Sequence, residues 1–413
     1  MDVKFLGGAR EVGRSAVLVD DVLVDYGLKT GNPPEYPLGG SLKPDTVVLS
    51  HGHLDHVGAV PTLMNHLPDV HQTPPTRDLN RLLAEDTLKI AEGSYGLPFS
   101  REDVLRLSQT SYLHPFGGVF QAGDFECEFY DAGHIPGSAS VLMTSDDDTT
   151  LFYTGDINTV PTQLLTPAPD PPHADAMIIE STYFNYDHPD REELEEEFVQ
   201  SVRNTLYQGG DVIIPVFAIG RTQEILMILE KYDVPCYVDG MGTDVTHIFR
   251  QYPEYIRDSD ALKRAWNHAK QVDPQRRDRV LGSGSAVVTT SGMLTGGPAV
   301  YYVKRIRDDP VHKICLTGYQ IEGTPGREAL ESKRAELDDK VVPISAQVEL
   351  YDFSAHAGST GLREYVEKAV NSGVEHVLCV HGDEEDCVDF AEWVRDELNV
   401  EAMAPKLGEE ISI

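Results

Sequence analysis

Residues 47–56 read Val-Val-Leu-Ser-His-Gly-His-Leu-Asp-His, an apolar run that ends in three histidines and one aspartate. The apolar run is typical of a buried strand, so the polar cluster stands at the strand's carboxyl end. Three imidazoles and a carboxylate so close together are costly to bury unless they bind a ligand. Imidazole and carboxylate groups suit zinc, and Gly52 lets the backbone turn so that these side chains can point to two metal centres. The sequence therefore predicts two metal sites, with His51 and His53 in the first and Asp55 and His56 in the second.

Three more polar residues follow predicted strands and complete the two sites. His134 lies in Gly-His-Ile-Pro-Gly-Ser, Asp156 in Thr-Gly-Asp and His381 in Val-His-Gly. Each alone is a weak signal, because a strand-end aspartate is usually a turn residue. Together, His134 would join the first metal, His381 would join the second, and Asp156 would bridge both. This leaves an open position for water, as a catalytic zinc site requires. Other histidines without such a context are expected on the surface, for example His66, His71, His188 and His312.

The order of strands and helices predicts two domains, one inserted in the other. The chain of 413 residues is too long for one compact core. Short apolar runs predict strands in the first part, with helices at about 78–92 and 101–108. From about residue 181 strands alternate with helices, which indicates a parallel sheet. A strand at 343–348 is expected to begin the return to the first domain. The predicted boundaries are 1–180, 181–342 (the inserted part) and 343–413.

The charge of the chain is strongly negative. It contains 34 Lys+Arg and 68 Asp+Glu, a formal net charge of −34. Such a charge repels itself at low ionic strength, whereas in molar salt the Debye length is only about 3 Å. We therefore expect adaptation to a salty cytoplasm, as in halophilic archaea, with an ordinary acidic enzyme as the alternative. Residues 181–342 are nearly balanced, with 20 basic and 26 acidic residues against 14 and 42 elsewhere. This inserted part is expected to meet a polyanion, unless the difference is chance variation.

Composition also excludes several classes of protein. The five cysteines are odd in number and form no Cys-x-x-Cys pair, so neither a disulfide framework nor a cysteine zinc site is indicated. No apolar run approaches the roughly 18 residues that a membrane span needs. The first residues lack a basic segment followed by an apolar one, so we expect no secretory signal. A cytoplasmic protein with no membrane segment is the expectation.

These motifs resemble the metallo-β-lactamase superfamily and, within it, the β-CASP nucleases. Glu180 in Glu-Ser-Thr-Tyr, His356 in Ser-Ala-His-Ala and His381 are similar to the three β-CASP motifs, and a histidine at the third is typical of the RNA-processing branch. The resemblance covers essentially the whole chain and points to archaeal relatives of the nuclease subunit of the cleavage and polyadenylation specificity factor. Further family-like stretches are Pro-Val-Phe-Ala-Ile-Gly-Arg221, Ser291-Gly-Met and Gly-Tyr-Gln-Ile-Glu-Gly-Thr-Pro-Gly-Arg327.

The resemblance implies a fold, an activity and a cofactor. The fold would be of the α/β class, an αββα metallo-β-lactamase sandwich with an inserted β-CASP domain built on a parallel sheet. The activity would be that of a ribonuclease with two Zn²⁺, which hydrolyses single-stranded RNA to leave a 5′-phosphate and a 3′-hydroxyl. The KH-type extension of some archaeal relatives is not expected. Pro136 departs from the family, which commonly has a larger apolar residue there, but it replaces no ligand.

Roles for individual residues follow from the same resemblance. His356 corresponds to the general acid that would protonate the departing 3′ oxygen, and Glu180 would orient its imidazole. Asp55 and Asp156 complete the catalytic set as metal-binding carboxylates. Asp25 matches the first superfamily motif and is expected to orient a ligand histidine or support its loop rather than bind metal.

Substrate contacts are expected in the inserted part and just after it. Arg221 and Arg327 are candidate ligands of backbone phosphates, because a guanidinium can bind a phosphate with two hydrogen bonds. A structural ion pair is an equal alternative for each. Ser354 and nearby backbone amides could hold an adjacent phosphate.

The sequence leaves several functions open. An endonuclease in RNA processing or mRNA 3′-end formation is expected, with a 5′-to-3′ exoribonuclease of the RNase J type as the alternative, because the same catalytic residues serve both. A small-ester or thioester hydrolase is a second alternative, against which the inserted part and His356 argue. A non-catalytic RNA-binding subunit is a third, but such proteins usually lose metal ligands and none is missing here. Candidate partners are RNA-processing proteins and a second copy of the chain, paired through residues 410–413.

Overall fold

The computed structural model describes residues 1–31, 33–40, 42–91, 96–282 and 284–413. The chain divides into two compact units: Met1–Pro161, Pro167–Asp187 and Ala355–Ile413 form the first unit, and Thr162–Thr166 and His188–Ser354 form the second unit. These limits lie beyond the expected ones at 180 and 342. Strand patterns alone do not show which sheet a strand joins. The sheet that the last strands join decides where the second unit ends.

The part of the chain before the second unit contains most strands of the first unit. These strands are β1 (Asp2–Gly7), β2 (Ala16–Val19), β3 (Val22–Val24), β4 (Thr46–Val48), β5 (Asp69–Gln72), β6 (Ser111–Leu113), β7 (Val119–Ala122), β8 (Phe125–Asp131), β9 (Ala139–Thr144), β10 (Thr150–Tyr153) and β11 (Ala176–Glu180). The α-helices are α1 (Leu54–Val57), α2 (Pro74–Ala91) and α3 (Arg101–Gln109). Helix α3 begins where Ser100 and Asp103 form a capping box. Glu92, the expected end of α2, lies outside the described residues.

The second unit alternates helices and strands. Its helices are α4 (Arg191–Tyr207), α5 (Arg221–Lys231), α6 (Gly242–Phe249), α7 (Ser259–His268), α8 (Gly297–Ile306) and α9 (Pro325–Ser332). Its strands are β12 (Val212–Pro215), β13 (Cys236–Asp239), β14 (Lys270–Gln271), β15 (Ala286–Thr289), β16 (Lys313–Leu316), β17 (Arg334–Glu336), β18 (Val341–Pro343) and β19 (Gln347–Leu350). The single strand expected at 343–348 is therefore wrong. The chain turns between β18 and β19, where the amides of Ser345 and Ala346 donate to the carbonyl of Arg307.

The last part of the chain returns to the first unit. It forms α10 (Ser359–Ser372), β20 (His376–Val380), α11 (Glu384–Trp393), β21 (Glu401–Met403) and β22 (Glu410–Ser412). Strand β22 pairs antiparallel with β1, so the two ends of the chain lie side by side at one edge of a sheet. None of the helices in the described ranges is long and apolar enough to cross a membrane.

Two mixed sheets stack in the first unit. Their strand orders are β22-β1-β2-β3-β4-β5-β6 and β21-β20-β11-β10-β9-β8-β7. Apolar side chains of both sheets, such as Phe5 and Phe129, form the core between them. A second apolar cluster includes residues of α1 and α3, and a third packs α10 and α11 on the other sheet. The first unit is thus the expected αββα sandwich of the metallo-β-lactamase fold.

One parallel sheet forms the centre of the second unit. Its order is β14-β13-β15-β12-β16-β19, and every paired strand runs parallel to its neighbour. Strands β12, β15 and β16 are buried along their whole length, which is typical of a parallel sheet covered on both faces. Residues of α8 and α9 pack against these strands. The expected parallel sheet in the inserted part is confirmed.

The topology of the first unit places polar residues at one sheet edge. Strands β10, β11 and β20 are neighbours and run parallel, so their carboxyl ends meet at the same edge. Asp156 follows β10, Glu180 ends β11 and His381 follows β20. The His-rich loop begins three residues after the end of β4 in the other sheet. The five cysteines are free and buried.

Candidate metal and catalytic centre

The predicted metal ligands of the first unit converge in two groups. One group brings together His51, His53, His134 and Asp156, and the other brings together Asp55, His56 and His381. Within each group, the ligand atoms lie within 4.8 Å of one another. A third group contains Asp156, Glu180 and His356. Strand ends far apart in the chain thus bring the nine predicted ligand and catalytic residues to one place.

Distances in the first group fit a tetrahedral zinc site. Ligand atoms at about 2.0–2.1 Å from a tetrahedral zinc ion lie about 3.3–3.4 Å from each other. Nδ1 of His53 lies 3.2 Å from Nε2 of His51 and 3.1 Å from Nε2 of His134. Oδ2 of Asp156 lies 3.4 Å from Nε2 of His51 and 3.7 Å from Nε2 of His134. These four separations are therefore close to those of the ligand atoms around a tetrahedral zinc ion.

The second group uses the other oxygen of Asp156. Oδ1 of Asp156 lies 3.3 Å from Nε2 of His56 and 3.0 Å from Nδ1 of His381. Oδ2 of Asp55 lies 3.4 Å from Nε2 of His381. The two oxygens of one carboxylate therefore face different groups, the arrangement of a carboxylate shared by two cations.

Several of these atoms are buried and make no hydrogen bond. They are Nε2 of His56, Oδ1 of Asp156 and both ring nitrogens of His381. Buried polar atoms are nearly always hydrogen-bonded, and each unsatisfied one costs about 1–3 kcal/mol. Cations between these atoms would satisfy them, and imidazole with carboxylate is the ligand chemistry of zinc. The side chains thus fit the metals that the sequence predicts.

Asp25 supports the second group through a hydrogen bond to His56. Its carboxylate accepts hydrogen bonds from the amide and hydroxyl of Ser50, at 2.8 and 2.7 Å, and from the hydroxyl of Tyr153 at 2.9 Å. Nδ1 of His56 donates to it at 2.7 Å, which leaves Nε2 to face the metal position. This contact fixes both the tautomer and the orientation of the ring, as a carboxylate behind a metal-binding histidine does. The role matches the one expected for Asp25.

The loop that carries His134 is shaped by a serine that the sequence analysis passed over. The hydroxyl of Ser138 accepts hydrogen bonds from the amides of His134 and Ile135, at 3.2 and 3.1 Å. Nδ1 of His134 lies 2.7 Å from the carbonyl oxygen of Ala355 and can donate to it, which directs Nε2 to the first group. The signal was present in the motif, since a serine four residues after a ligand can turn back to its amide.

His356 lies beside the metal ligands and is held by Glu180. Its Nδ1 lies 3.0 and 2.9 Å from the two carboxylate oxygens of Glu180. Glu180 is buried and also accepts hydrogen bonds from the amide of Ile157 at 2.7 Å and the hydroxyl of Thr182 at 2.5 Å. Burial lowers the pKa of His356, but the charge and hydrogen bond of Glu180 outweigh it, so the pKa lies above the ordinary histidine value. The imidazole can therefore carry a proton on Nε2.

Histidines of the first group are poor bases in the metal-free protein. Burial and the neighbouring His51 lower the pKa of His53 to about 3. Burial and the neighbouring His356 hold the pKa of His134 well below its usual range. Neutral imidazoles are the form that binds metal, so this group is ready for a cation near neutral pH.

Histidines of the second group have the opposite shift. Burial lowers the pKa of His56, but the carboxylates of Asp156 and Asp25 outweigh burial and raise it to about 10. Burial also opposes the charge of His381, while Asp156 and Asp55 raise its pKa above the usual value. In the metal-free protein, protons on these rings balance the buried carboxylates. Cations would take over that role.

The predicted substrate residues lie in the second unit, in two separate settings. Burial opposes the charge of Asp352, but hydrogen bonds from His188 and Ser354 and the charge of Arg221 hold its pKa below the usual value. The amide of Ser354 donates to Asp352 at 3.2 Å. Nε of Arg327 instead donates to Glu331 at 2.5 Å, an ion pair within helix α9. Arg221 and Ser354 thus share one carboxylate, and Arg327 does not.

The expectation of surface histidines holds for His66, which is exposed, but is wrong for His71. His71 is buried, and its Nδ1 lies 2.9 Å from Nε2 of His114. The rings of His114 and Phe120 stack at 3.9 Å, so this cluster packs as part of an aromatic layer. His188 is also largely covered, with Nδ1 2.7 Å from Asp352. Histidine pairs of this kind depend on contacts between strands that spacing in the sequence does not show.

Family models match most of the chain. The Metallo-beta-lactamase superfamily model matches residues 10–195, the Beta-Casp domain model matches residues 222–328, and the Zn-dependent metallo-hydrolase RNA specificity domain model matches residues 341–405. The chain is 37% identical to "Probable RNase MJ4" of Methanocaldococcus jannaschii over the full length of both chains.

The chain belongs to the β-CASP family of metallo-β-lactamase ribonucleases. It is also 34% identical to "RNase aCSPSF2" of Saccharolobus solfataricus, over 100% of this chain and 85% of that one. The "RNase J-like protein" of M. jannaschii is 34% identical, over 98% of each chain. This β-CASP protein is therefore a metal-dependent ribonuclease, and its cluster of histidines and aspartates is typical of a zinc-dependent metallo-β-lactamase site.

Proposed function

We propose that this protein is a two-zinc endoribonuclease that acts in RNA processing or mRNA 3′-end formation. The observation that carries the proposal is the position of Asp156, whose two oxygens face two different groups of ligand atoms at zinc spacing. The first metal would be held by His51, His53, His134 and Asp156. The second would be held by Asp55, His56 and His381, with the other oxygen of Asp156.

Two zinc ions in these positions would supply a nucleophilic hydroxide near neutral pH and stabilise negative charge on the phosphoryl oxygens. The side chains of this protein would do the rest. Asp25 fixes the His56 ring, and Ala355 fixes the His134 ring, so that each keeps its ligand nitrogen in place. Held ligands need little reorganisation during the reaction, which is the main advantage of a preorganised site.

His356 is proposed to be the general acid. A hydroxide oxygen bonds to phosphorus as the bond from phosphorus to the 3′ oxygen breaks, and the electron pair of that bond goes to the 3′ oxygen. Nδ1 of His356 is engaged by Glu180, so the proton passes from Nε2 to the departing oxygen. The products are a 3′-hydroxyl and a 5′-phosphate. Glu180 is a positioning residue in this scheme, since it acts through His356.

Similarity to proteins named as ribonucleases supports an RNA substrate rather than a small ester or thioester. The motif resemblance to the cleavage and polyadenylation specificity factor nuclease supports internal cleavage of single-stranded RNA. Similarity to a protein named "RNase J-like" favours the second candidate, a 5′-to-3′ exoribonuclease. Both candidates use the same metal and acid residues, so product analysis is needed to separate them.

The test is product mapping on a single-stranded RNA labelled at both ends, in molar KCl, with and without zinc chelation. We expect internal cuts that leave 5′-phosphates, and we expect chelation to abolish them. Release of mononucleotides from a 5′-monophosphate end would instead establish the exonuclease. If the protein is verified to hold two zinc ions and cuts the RNA neither internally nor from its 5′ end, the proposal is overturned.

Three wider expectations accompany this function. The excess of acidic residues supports activity in a cytoplasm of high ionic strength, where screening reduces self-repulsion. RNA-processing proteins are proposed as partners.

A homodimer through residues 410–413 would use strand β22, which stands at the edge of its sheet with one side paired to β1. Disrupting that outer edge by Ser412→Pro should then lower the mass in solution, and an unchanged dimer mass would contradict this surface.

A further inference from the structure

In the parallel sheet of the second unit, the direction in which the connections cross the sheet reverses at the centre. From β12 the chain passes over β15 to reach β13, and from β15 it passes over β12 in the other direction to reach β16. Neighbouring strands β12 and β15 therefore send their connections to opposite sides. In open α/β sheets, ligands bind in the crevice at the carboxyl ends of such strands. This edge contains none of the metal ligands proposed above.

Exposed aromatic side chains lie at this edge. Phe217 follows β12 and is 37% exposed, and Tyr319 follows the neighbouring strand β16 and is 53% exposed. A Cβ atom at Gly292 would lie 3.1 Å from the amide nitrogen of Phe217, and one at Gly318 would lie 3.2 Å from its Cε2. The missing side chains thus let the Phe217 ring lie close against two loops. A fixed but partly exposed ring is suited to stack on a flat ligand.

Helix starts at the same edge favour anions. Helices α5, α8 and α9 begin after β12, β15 and β16, and the N-cap residue of each makes no side-chain capping hydrogen bond. Backbone carbonyls already accept from the first-turn amides of Arg221, Thr222 and Gly326, so attraction of an anion here depends on the helix dipoles and on nearby positive side chains. The positive end of each helix dipole therefore points to the edge where the aromatic rings lie. Phosphate groups bind well at such helix starts. Arg221 and Arg327 stand in the first turns of α5 and α9 and add positive charge.

We propose that Phe217 and Tyr319 form a stacking platform for the bases of single-stranded RNA, with the backbone phosphates at the starts of α5 and α9. The proposal rests on the single-stranded RNA substrate proposed above. Aromatic stacking accepts any base and does not depend on counterion release. It therefore suits a chain with a net charge of −34, in which charge attraction to RNA is weak.

The experiment measures the KM of the zinc-loaded protein for a single-stranded RNA in variants Tyr319→Ala and Phe217→Leu. Leucine keeps apolar volume between the two glycine loops but removes the ring plane. We expect each variant to raise the KM about 5- to 100-fold, with little change in kcat. Tyr207→Ala is the matched control, because Tyr207 is 94% exposed in the same unit but precedes β12, at the opposite end of the strand.

Three further measurements separate stacking from a general structural effect. Tyr319→Phe should keep the wild-type KM, because the ring alone provides the stacking surface. On an RNA that carries abasic nucleotides along its length, wild type and Tyr319→Ala should have the same KM. The ratio of their KM values on normal RNA should not change between about 0.5 and 3 M KCl, since salt does not screen stacking.

Two outcomes would overturn the inference. If Tyr319→Ala and Phe217→Leu cleave RNA with the wild-type KM, the platform does not bind bases. If Tyr319→Ala loses as much on abasic RNA as on normal RNA, the residue acts through the fold or a protein partner instead. Failure of the proposed ribonuclease function is distinct, because the wild-type protein itself would then not cut RNA.

Discussion

The two units use the same place in their sheets, the carboxyl ends of strands, for different kinds of residue. In the first unit, these ends carry buried histidines and aspartates, fixed by hydrogen bonds such as those of Asp25 and Glu180. In the second unit, they carry glycines, exposed rings and helix starts whose N-cap residues make no side-chain capping hydrogen bond. Among the residues that the structure describes, every group of three or more potential metal ligands lies in the first unit.

The inserted part, residues 181–342, also differs from the rest of the chain in its charge. Residues 181–342 contain 20 basic and 26 acidic residues, whereas the remainder contains 14 and 42. A polyanion meets less repulsion from the nearly balanced part. Under the proposals above, the first unit would perform the chemistry and the second unit would bind the RNA. Substitutions in the first should therefore change kcat or metal content, and substitutions in the second should change KM.

The largest effect is expected from Asp156→Asn. An amide has one oxygen, so the side chain can no longer offer a carboxylate oxygen to each group of ligands. We expect loss of bound zinc and a fall in kcat of roughly 10,000-fold or more. Zinc content by elemental analysis and RNA cleavage rates measure this.

Asp170→Asn serves as the control for Asp156→Asn, since the Asp170 side chain is exposed and pairs only with the exposed Lys368 among the ion pairs found. It should retain wild-type zinc and activity. Two bound zinc ions and normal cleavage in Asp156→Asn would contradict the shared carboxylate.

His356→Ala should separate the acid from the metals. The imidazole contributes no atom to the two groups of zinc ligands, so both ions should remain bound. Removal of a general acid should lower kcat about 100- to 10,000-fold. An RNA with a sulfur in place of the departing 3′ oxygen has a better leaving group and should recover much of the rate. A variant with full activity on normal RNA would exclude His356 as the acid, and His66→Ala provides an exposed control.

Asp25→Asn should weaken one site and spare the other. The amide can still accept from Ser50, but it holds the His56 tautomer less firmly than the carboxylate does. We expect the affinity for the second zinc ion to fall about 10- to 100-fold, with the first ion unchanged. Competition with graded chelators measures the two affinities. Equal weakening of both ions would mean that Asp25 supports the whole core rather than one ligand.

The sequence alone predicted the parts that depend on local pattern. The apolar run before His51 placed the ligand cluster at a strand end, and the helices expected at about 78–92 and 101–108 overlap α2 and α3. Motif resemblance identified the αββα sandwich and the inserted parallel sheet. Each of these signals lies within a few neighbouring residues or in a motif that the family shares.

Pairing between distant segments could not be predicted in this way. The run at 343–348 contains a turn, and β19 after it joins the sheet of the second unit. His71 is buried because β5 and β6 pair in parallel and bring it to His114, 43 residues away. Ala355 orients His134 through a contact between residues 221 positions apart, which only the folded chain reveals. Periodicity reports which face of an element is apolar, but it does not report which element that face meets.

The smallest expected effect concerns Arg327, for which phosphate binding and a structural ion pair were equal alternatives. Its side chain is 41% exposed and pairs with Glu331, which is 56% exposed. An exposed pair within a helix contributes little to stability, so Arg327→Gln should leave the melting temperature almost unchanged. If Arg327 binds phosphate, Arg327→Gln should raise the KM a few-fold and reduce the slope of log KM against log salt by about 0.7. Glu331→Gln frees the guanidinium from its partner and should lower the KM slightly. If both variants have the KM and the salt slope of the wild type, Arg327 does not bind phosphate and forms only the ion pair.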